Sequence, residues 1–207
     1  MIAIIDNDFV AKLARIQLLD TFQSVLTKQK IVPYLQPSID GTFDLAKRGA
    51  LRKLATEAQR DDLAAFARQA QRVSLDDCGH GLINTCHLVE GIDAGDALWL
   101  SAGACNAESI VFTSDKNALR AVARTPACKD ISDRLASRVC CLEQFVLDQF
   151  ENVGYAIVRK GIIADPAADG ALTNSVPSLT TKRTEAEPAL RDYIERLRAE
   201  TGTLLIG

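Results

Sequence analysis

Three aspartates in the sequence stand where carboxylates could bind a divalent metal ion. Asp6 directly follows the apolar run at residues 2–5, and Asp115 comes shortly after a second apolar run at residues 110–112. Asp96 falls in the first turn of a helix that the pattern predicts over residues 94–105. None of the three has an obvious lysine or arginine partner in the sequence. Oxygen ligands of this kind suit magnesium or manganese.

These aspartates are expected to meet at one edge of a sheet. In an open parallel sheet the functional crevice lies beyond the carboxyl ends of the strands. Asp6 and Asp115 each come just after a predicted strand. If the helix that carries Asp96 begins at the same edge, its charge is held near the other two. The pattern therefore predicts a site built from three carboxylates.

Short apolar runs alternate with helical patterns along the chain. Strands are predicted at residues 2–5, in the stretch KIVPYL, at 110–112 and at 138–142. Helices are predicted from residue 8 to about residue 26, twice within 43–73, over 94–105, up to residue 123 and from 185 to about 200. This alternation predicts an α/β fold, a three-layer sandwich with a mostly parallel central sheet flanked by helices.

The composition of the chain changes near residue 163. Residues 1–162 are predicted to form one α/β domain with a helical insertion around 42–90. The stretch 163–183 is dominated by Ala, Asp, Gly, Ser, Thr and Pro, which is typical of a linker. An amphipathic helix follows it, so residues 163–207 are predicted to be a linker and a C-terminal helix.

Two segments resemble the motifs of PIN-domain nucleases. The N-terminal IIDNDFVAKLARIQLLD resembles the first motif of that family, an apolar strand followed by an Asp and a helix. The segment IDAGDALWLSAGACNAESIVFTSDKNALRAV is similar to the second half of the same fold. In that half of the PIN fold, an acid at the start of a helix is followed by a strand and then by a Ser-Asp-Lys signature. The resemblance covers roughly residues 1–160 and implies a PIN-like, Rossmann-type sheet.

The resemblance also implies roles for individual residues. By it, Asp6, Asp96 and Asp115 are the catalytic residues and metal ligands. Further residues are expected to support them, by hydrogen bonds or as extra acids behind the ligands: Asp8, Asp93, Thr113 and Ser114. The chain departs from the family after its second strand, where PIN nucleases usually carry a further acid, most often Glu. Only Asp40 stands near that position, displaced by a residue or two, and it is the candidate for a fourth ligand.

The chemistry implied by the resemblance is hydrolysis of RNA. A carboxylate cluster would hold one or two Mg²⁺ or Mn²⁺ ions, which lower the pKa of a bound water and stabilise charge developing on a phosphodiester. Cations near the acids would contact the phosphate backbone, and the candidates are Lys12, Lys116 and Arg120. The family further implies a bacterial toxin of a toxin–antitoxin pair or a relative of one. Its expected partners are RNA and an antitoxin or other protein, and a homodimer is a candidate assembly.

Other interpretations of the same residues stay open. Asp6, Asp93 and Asp115 each suit the N-cap of a helix, and Asp96 suits the third helical position after Asp93. If the acids are only caps, the chain is a catalytically inactive PIN-like module that binds protein or RNA. The cysteines and histidines within residues 78–87 invite a zinc interpretation, but their spacing fits no common zinc site. A flavodoxin-like or nucleotide-binding domain is disfavoured, because no G-x-G-x-x-G follows the first strand.

The composition is that of an ordinary globular protein. The chain has 207 residues, of which 47% are hydrophobic and 25% charged, and its net charge of −3 disfavours non-specific binding to polyanions. No run approaches the roughly 18 apolar residues of a membrane span, and MIAIIDND lacks the basic start of a signal peptide. Six cysteines in such a chain are more consistent with reduced thiols than with disulfides. The sequence therefore predicts a cytoplasmic protein that does not enter membranes.

Overall fold

The protein has an α/β fold built on one parallel sheet. A computed structural model describes residues 1–51 and 53–207. Within these residues the strands are β1 (Ile2–Ile5), β2 (Val32–Leu35), β3 (Gln71–Arg72), β4 (Ser109–Thr113) and β5 (Val139–Cys141). They are hydrogen-bonded in the order β3-β2-β1-β4-β5, and every neighbouring pair is parallel. The predicted α/β class with a parallel central sheet is confirmed.

Helices flank this sheet on both faces. They are α1 (Asn7–Arg15), α2 (Leu19–Lys28), α3 (Ile39–Thr42), α4 (Glu57–Gln69), α5 (His80–His87), α6 (Ala94–Cys105), α7 (Lys116–Arg124), α8 (Lys129–Arg134), α9 (Leu142–Gln149), α10 (Tyr155–Ala164), α11 (Gly170–Ser175) and α12 (Arg183–Thr201). A π-helical turn at Phe150–Gly154 joins α9 to α10. Among the described residues, no helix has both the length and the apolar character needed to cross a lipid bilayer.

Alternation along the strands produces two cores, one on each face of the sheet. In β1, Ala3 and Ile5 belong to a first core, whereas Ile4 belongs to a second. In β4, Phe112 belongs to the first core and Val111 to the second. This follows because successive side chains of a strand point to opposite faces. Helices α1 to α4 and α9 to α12 contribute to the first core, and α5 to α8 together with Leu197 of α12 contribute to the second, which completes the three layers.

Four phenylalanines hold the helices of the first core against the sheet. The ring of Phe22 in α2 lies 5.0 Å from Phe112 of β4 and 5.2 Å from Phe145 of α9, between centroids. Phe9 of α1 lies 5.6 Å from Phe112. Such aromatic pairs contribute about 0.5–1.5 kcal/mol each beyond the burial of their area. Because Phe9 follows Asp6 by less than one helical turn, the cluster also positions the start of α1.

The single helix predicted after β1 is two helices. The chain leaves the helical path at Gln17, whose φ is 60°, and α2 begins two residues later. Ile16 and Leu18 on either side of Gln17 are buried. The apolar spacing therefore continues through Gln17, and for this reason the helical period of the sequence could not reveal that the helix is interrupted there.

The stretch predicted to form two helices, residues 43–73, contains one helix within its described part. Helix α4 begins after Thr56 with a capping box. Before it, the described residues 43–51 and 53–55 form irregular turns, in which Asp44, Lys47 and Lys53 have φ values of 50°, 56° and 56°. Left-handed residues of this kind end a helix. Arg52, which falls in the same predicted stretch, lies outside the described residues.

The segment predicted as a linker is part of the domain. Helix α10 runs past residue 163, and α11 and α12 follow it on the first core. Leu172 and Val176 are buried there, together with Leu190 of α12. Ala168, Leu172 and Val176 recur every four residues, but the small and polar residues around them dominate the composition. The prediction of a linker after residue 162 is therefore wrong, and residues 163–207 share the core of β1.

Gly161 of α10 packs against the backbone where α1 gives way to α2. A Cβ atom at this position would overlap the carbonyl oxygen of Ile16. We expect Gly161→Ala to lower the free energy of unfolding by about 1–3 kcal/mol, because an extra methyl in a packed site forces the backbone to shift. Urea unfolding followed by circular dichroism measures this change. Gly170→Ala is the matched control, since a Cβ there has no described atom within 4 Å, and equal losses in both variants would contradict the contact.

Candidate functional site

Five carboxylates converge on one small cavity at the carboxyl edge of the sheet. The cavity has a volume of about 210 Å³ and is called the carboxylate cavity below. Its acidic lining consists of Asp6, Asp8, Asp93, Asp96 and Asp115, and the remainder is Asn7, Gln36, Ser38, Thr42, Lys53 and Gly95. β1 and β4 end beside it, which is where a parallel sheet forms its crevice.

Asp6 is held at the end of β1 by hydrogen bonds from two sides. Its Oδ1 accepts from the backbone N–H of Asp8 at 3.2 Å, which caps α1. Its Oδ2 accepts from the hydroxyl of Thr113 at 3.3 Å and from the backbone N–H of Ser114 at 3.4 Å. Burial raises the pKa of Asp6 to about 6, and the charges of Asp8 and Asp115 add to this effect. The carboxyl therefore sits among acids in a desolvated place, where a proton or a cation is favoured.

Asp96 is anchored at the start of α6. It forms a capping box with Asp93: the Asp96 N–H donates to Asp93 Oδ1 at 2.8 Å, and the Asp93 N–H donates to Asp96 Oδ2 at 3.1 Å. The indole N–H of Trp99 donates to Asp96 Oδ1 at 3.1 Å. Burial raises the pKa of Asp96 to about 7, because the charges of Asp115 and Asp93 reinforce it and the hydrogen bonds offset it only in part.

Asp115 connects the other two acids. Its Oδ1 accepts from the backbone N–H groups of the first turn of α7 at 2.8 and 2.9 Å, so it is the N-cap of that helix. Its own N–H donates to the hydroxyl of Thr113 at 2.9 Å, and that hydroxyl donates to Asp6. The charge of Asp115 raises the pKa of both Asp6 and Asp96. The structure thus brings together the three aspartates that the sequence singled out, and each also begins or stabilises a helix.

Two amide side chains of the cavity were not anticipated. Asn7 is buried, its Nδ2 donates to Ser38 at 3.1 Å, and its Oδ1 accepts no hydrogen bond from any residue that the structure describes. Gln36 follows β2 directly and donates to the carbonyl of Gly95 at 3.2 Å. Asn7 and Gln36 both stand just after a strand. The rule that ligands gather at the carboxyl ends of parallel strands, which identified Asp6, would therefore also have identified these two residues if amides had been considered together with acids.

Asp40 lies away from the carboxylate cavity. It belongs to the short helix α3, and its exposed carboxylate pairs with Arg72 at 3.2 Å. It is not among the residues that line the cavity in the described part of the chain. Gln36, at the end of β2, occupies the cavity instead, because the turn after β2 carries Asp40 past the sheet edge. The structure therefore does not bring this candidate ligand to the others.

The donor chemistry of the cavity fits a hard cation, although the side chains are not arranged around one. Within residues 1–51 and 53–207, no group of three or more Asp, Glu, His or Cys side chains is placed to hold a metal ion, and this includes the cysteines and histidines of residues 78–87. Oxygens of Asp6, Asp96 and Asp115 are directed to backbone N–H groups at helix starts. The donors are nevertheless all oxygens, and magnesium and manganese prefer oxygens.

The cations predicted to contact phosphate line a second cavity beside the first. This cavity has a volume of about 250 Å³ and shares Asp8 and Asp115 with the carboxylate cavity. Lys12, Lys116 and Arg120 all line it. The structure therefore places the predicted cations next to the acids, with Lys12 on α1 and with Lys116 and Arg120 on α7.

Two buried acids of the C-terminal half neutralise the lysines of this second cavity. Lys116 lies 2.6 Å from Glu143 and 3.0 Å from Asp169, and Lys12 lies 2.9 Å from Asp169. Burial lowers the pKa of Lys116, but the two carboxylates outweigh it and raise the pKa above its ordinary value. Burial raises the pKa of Asp169, but the two lysines outweigh it and lower the pKa. Both lysines therefore serve mainly as internal counter-charges.

Arg120 and Lys53 also lie near the acids, and their ion pairs are more exposed than those of Lys12 and Lys116. Arg120 pairs with Glu200 at 2.6 Å, where the carboxylate is 41% exposed. Lys53 pairs with Asp8 at 3.2 Å, and its side chain is 58% exposed. Exposed ion pairs contribute about 0–1 kcal/mol, so these two side chains can exchange partners at small cost. The sequence pattern gave no signal for Lys53, because it stands in a stretch predicted to be helical.

Comparison with known proteins identifies no relative. No model of a protein family, no curated protein and no solved structure matches the chain. The chemistry of the site therefore has to be inferred from its own residues. These residues form a cluster of acids, of which Asp6 and Asp96 are buried, with one lysine in the described lining and a cavity with three further cations beside it.

The raised pKa values of Asp6 and Asp96 predict that the fold loses stability as the pH rises. An unfolded aspartate has a pKa of about 3.9. Each carboxyl therefore binds its proton more tightly in the folded chain, and its stabilising contribution disappears as the pH rises through about 6 for Asp6 and about 7 for Asp96. We expect the melting temperature in metal-free buffer to fall between about pH 5 and about pH 7.5, and to fall less in Asp96→Asn.

Differential scanning calorimetry across this pH range measures the slope of the melting temperature against pH. Asp40→Asn is the matched control, because it removes an exposed carboxylate outside the cavity. It should keep the slope of the wild type. A slope that is the same in Asp96→Asn and in the wild type would show that Asp96 does not titrate in this range.

Proposed function

We propose that the protein is a metal-dependent ribonuclease of the PIN-like class. The observation that carries the proposal is the convergence of Asp6, Asp96 and Asp115, from three separate parts of the chain, on one cavity. These acids follow the order of the PIN motifs that the sequence resembles. Asp8 and Asp93 add further negative charge to the same cavity. An excess of carboxylates over cations favours the binding of a positive ion.

The chemistry of the lining supports a hard divalent ion, Mg²⁺ or Mn²⁺, at this place. Asp6, Asp96 and Asp115 would hold it with carboxylate oxygens. The Oδ1 of Asn7, which accepts no hydrogen bond within the described residues, is a buried neutral oxygen in a residue of the cavity wall. When bound, such an ion lowers the pKa of a water and stabilises negative charge on a phosphodiester.

Hydrogen bonds from neighbouring residues position these acids. The hydroxyl of Thr113 links Oδ2 of Asp6 to the backbone N–H of Asp115, and the N–H of Ser114 donates to the same oxygen of Asp6. Asp93 holds Asp96 through the capping box. Preorganised acids of this kind are displaced little during a reaction, which is what electrostatic catalysis requires.

Cations on two sides of the acids support an RNA substrate. Lys53 lines the carboxylate cavity and Arg120 lines the cavity next to it. A phosphate can replace the exposed carboxylate partner of either side chain at small cost. Lys12 and Lys116 are held by buried Asp169, so they shape the field beside the acids rather than grip the backbone. Arg120 is therefore a stronger candidate for a phosphate contact than Lys12 or Lys116.

The biological setting is proposed from the resemblance alone. A PIN-like ribonuclease of this size is consistent with the toxin of a toxin–antitoxin pair or with a relative of such toxins. Its partners would then be RNA and an antitoxin or another protein, and it would act in the cytoplasm, as a homodimer if it resembles its family in this respect.

A second candidate function is a PIN-like module that binds protein or RNA without cleaving it. The specific observation in its favour is that Asp6, Asp96 and Asp115 already accept hydrogen bonds at helix starts. Asp40 also stands outside the cavity, so the usual fourth acid is replaced by the neutral Gln36. In this alternative the acids are retained for the stability of α1, α6 and α7.

Cleavage of RNA distinguishes the two candidates. We expect the wild type to cut a mixed RNA pool with Mg²⁺ or Mn²⁺ and to stop when EDTA is added. Asp6→Asn/Asp115→Asn should reduce the rate at least about 100-fold, since even residues behind metal ligands change activity by 10–100-fold. Asn caps a helix about as well as Asp, so the fold of this variant should survive. Gel electrophoresis of labelled RNA measures the rate.

Asp40→Asn is the matched control for cleavage, because it removes a carboxylate outside the cavity. It should cut at the rate of the wild type. If the folded wild type neither cuts RNA nor binds metal, the ribonuclease proposal fails and the binding module replaces it. If the double variant cuts as fast as the wild type, the activity does not come from this cavity.

Binding of Mn²⁺ tests the cavity without any substrate. We expect titration calorimetry to give tighter binding at about pH 7.5 than at about pH 5.5, because protons on Asp6 and Asp96 compete with the ion. Asp96→Asn should weaken the binding at the higher pH about 10-fold or more. Equal affinity at both pH values would show that the ion binds elsewhere.

A further inference from the structure

Cys78 and Cys105 meet between the start of α5 and the end of α6. Cys78 follows the short 3-10 turn Leu75–Asp77, and Cys105 is the last residue of α6. The backbone N–H of Gly79, the residue after Cys78, donates to Cys105 Sγ at 2.9 Å. This hydrogen bond brings the sulfur of Cys105 to the peptide bond that joins Cys78 to Gly79.

The geometry of that peptide bond limits the separation of the two cysteines. The nitrogen of Gly79 is bonded to the carbonyl carbon of Cys78, so Cys105 Sγ lies within about 5.3 Å of the Cα atom of Cys78. The sulfurs are also near enough for negative charge on Cys105 to raise the pKa of the Cys78 thiol. Two independent observations therefore place these thiols side by side, although they are distant in the sequence.

The two thiols differ in their access to solvent. All six cysteines lie in the described part of the chain as free thiols; Cys105 is exposed, and the other five are buried. Cys78 Sγ contacts the carbonyl oxygens of Ser74 at 3.4 Å and Leu98 at 3.5 Å. Burial raises the pKa of Cys78 to about 11. An oxidant dissolved in water therefore reaches Cys105 first, because oxidation requires an accessible sulfur.

Cys86 is the other thiol whose charge acts on Cys78, and its effect is the smallest of the causes that raise the pKa of Cys78. Cys86 lies in α5 and is fully buried, and the hydroxyl of Ser101 donates to its Sγ at 3.9 Å. A dissolved oxidant does not reach it in the folded chain. Cys105 is therefore the better partner for Cys78.

We propose that Cys78 and Cys105 are a peroxide-sensitive thiol pair that closes to a reversible disulfide. In the first step the sulfur of Cys105 bonds to one oxygen of hydrogen peroxide, the O–O bond breaks, and water leaves, which gives a sulfenic acid. In the second step the sulfur of Cys78 attacks the sulfur of Cys105 and the S–O bond breaks. The hydroxyl group leaves with the thiol proton of Cys78 as a second water. Two thiols are oxidised, and one hydrogen peroxide is reduced to two waters.

The pair is separate from the carboxylate cavity. Asp96 lies in the first turn of α6, whereas Cys105 ends that helix. Neither cysteine is among the described residues that line the cavity. The redox chemistry of the pair consequently does not depend on the ribonuclease proposal, and either can fail without the other.

Peptide mapping by mass spectrometry, on the full chain before and after treatment with hydrogen peroxide, tests the pair. We expect the treated wild type to contain two peptides joined through Cys78 and Cys105, which separate when dithiothreitol is added. Cys105→Ser should lose this cross-link and leave Cys78 reduced, because peroxide does not oxidise a hydroxyl group to a sulfenic acid. Cys86→Ala is the matched control: it removes a neighbouring buried thiol and should keep the cross-link.

A second variant tests the order of the two steps. In Cys78→Ala, the oxidation of Cys105 should stop at the sulfenic acid, which dimedone labels, whereas the disulfide of the wild type resists this label. If Cys78→Ala does not fold, the comparison of the wild type with Cys105→Ser decides alone, since Cys105 is exposed. The proposal is overturned by any of three results: no peptides joined through Cys78 and Cys105, a disulfide between the Cys105 residues of two chains in their place, or oxidation of Cys78 at the wild-type rate in Cys105→Ser.

Discussion

The parallel pairing of β1 with β4 is the contact on which both the sheet and the cavity depend. Ile5 pairs with Phe112, and the next N–H, that of Asp6, donates to the carbonyl of Phe112 at 2.9 Å. This register places the hydroxyl of Thr113 between Asp6 and Asp115. A shift of one residue would turn every side chain of the strand to the other face. The two cores and the cluster of acids therefore require the same alignment.

The acids of the cavity serve two purposes that oppose each other. As caps they satisfy N–H groups at helix starts, and a cap contributes about 0.5–2 kcal/mol. Burial raises the pKa of Asp6 and Asp96, and repulsion from the neighbouring acids raises it further. A protein that needed only caps could separate these helix starts. Their concentration at one point is a destabilising arrangement of the kind that functional sites retain.

The sequence predicted the elements that carry the site better than the parts that surround it. The rule that ligands gather at the carboxyl ends of parallel strands identified Asp6 and Asp115, and the capping pattern identified the start of α6. Asp40 was misplaced, because the path of a turn after a strand does not follow from apolar periodicity. The partners of Lys12 and Lys116 could not be predicted either, since Asp169 is more than fifty residues distant from both and its segment has the composition of a linker.

The two ends of the sheet have different characters. The carboxyl edge carries the acids and the cations beside them, whereas the amino edge carries an apolar cleft bounded by α2 and α12. The C-terminal residues contribute to both, because Asp169 binds the lysines near the acids and Ile194 lines the cleft. A segment with the composition of a linker thus completes the architecture at both edges.

The order of the strands has a consequence for how the protein is made. β1 is synthesised before its neighbour β4, which pairs Ser109 with Ile2, and α12 covers the first core with residues as distant as Ile194. Contacts between residues so distant in sequence close late and slow the folding of a domain. The apolar strand β1 therefore lacks its partner β4 until the chain between them has been made, and unpaired apolar strands are prone to aggregate. Because Asp115 follows β4, the cluster of acids cannot assemble until β4 has been synthesised and has paired with β1.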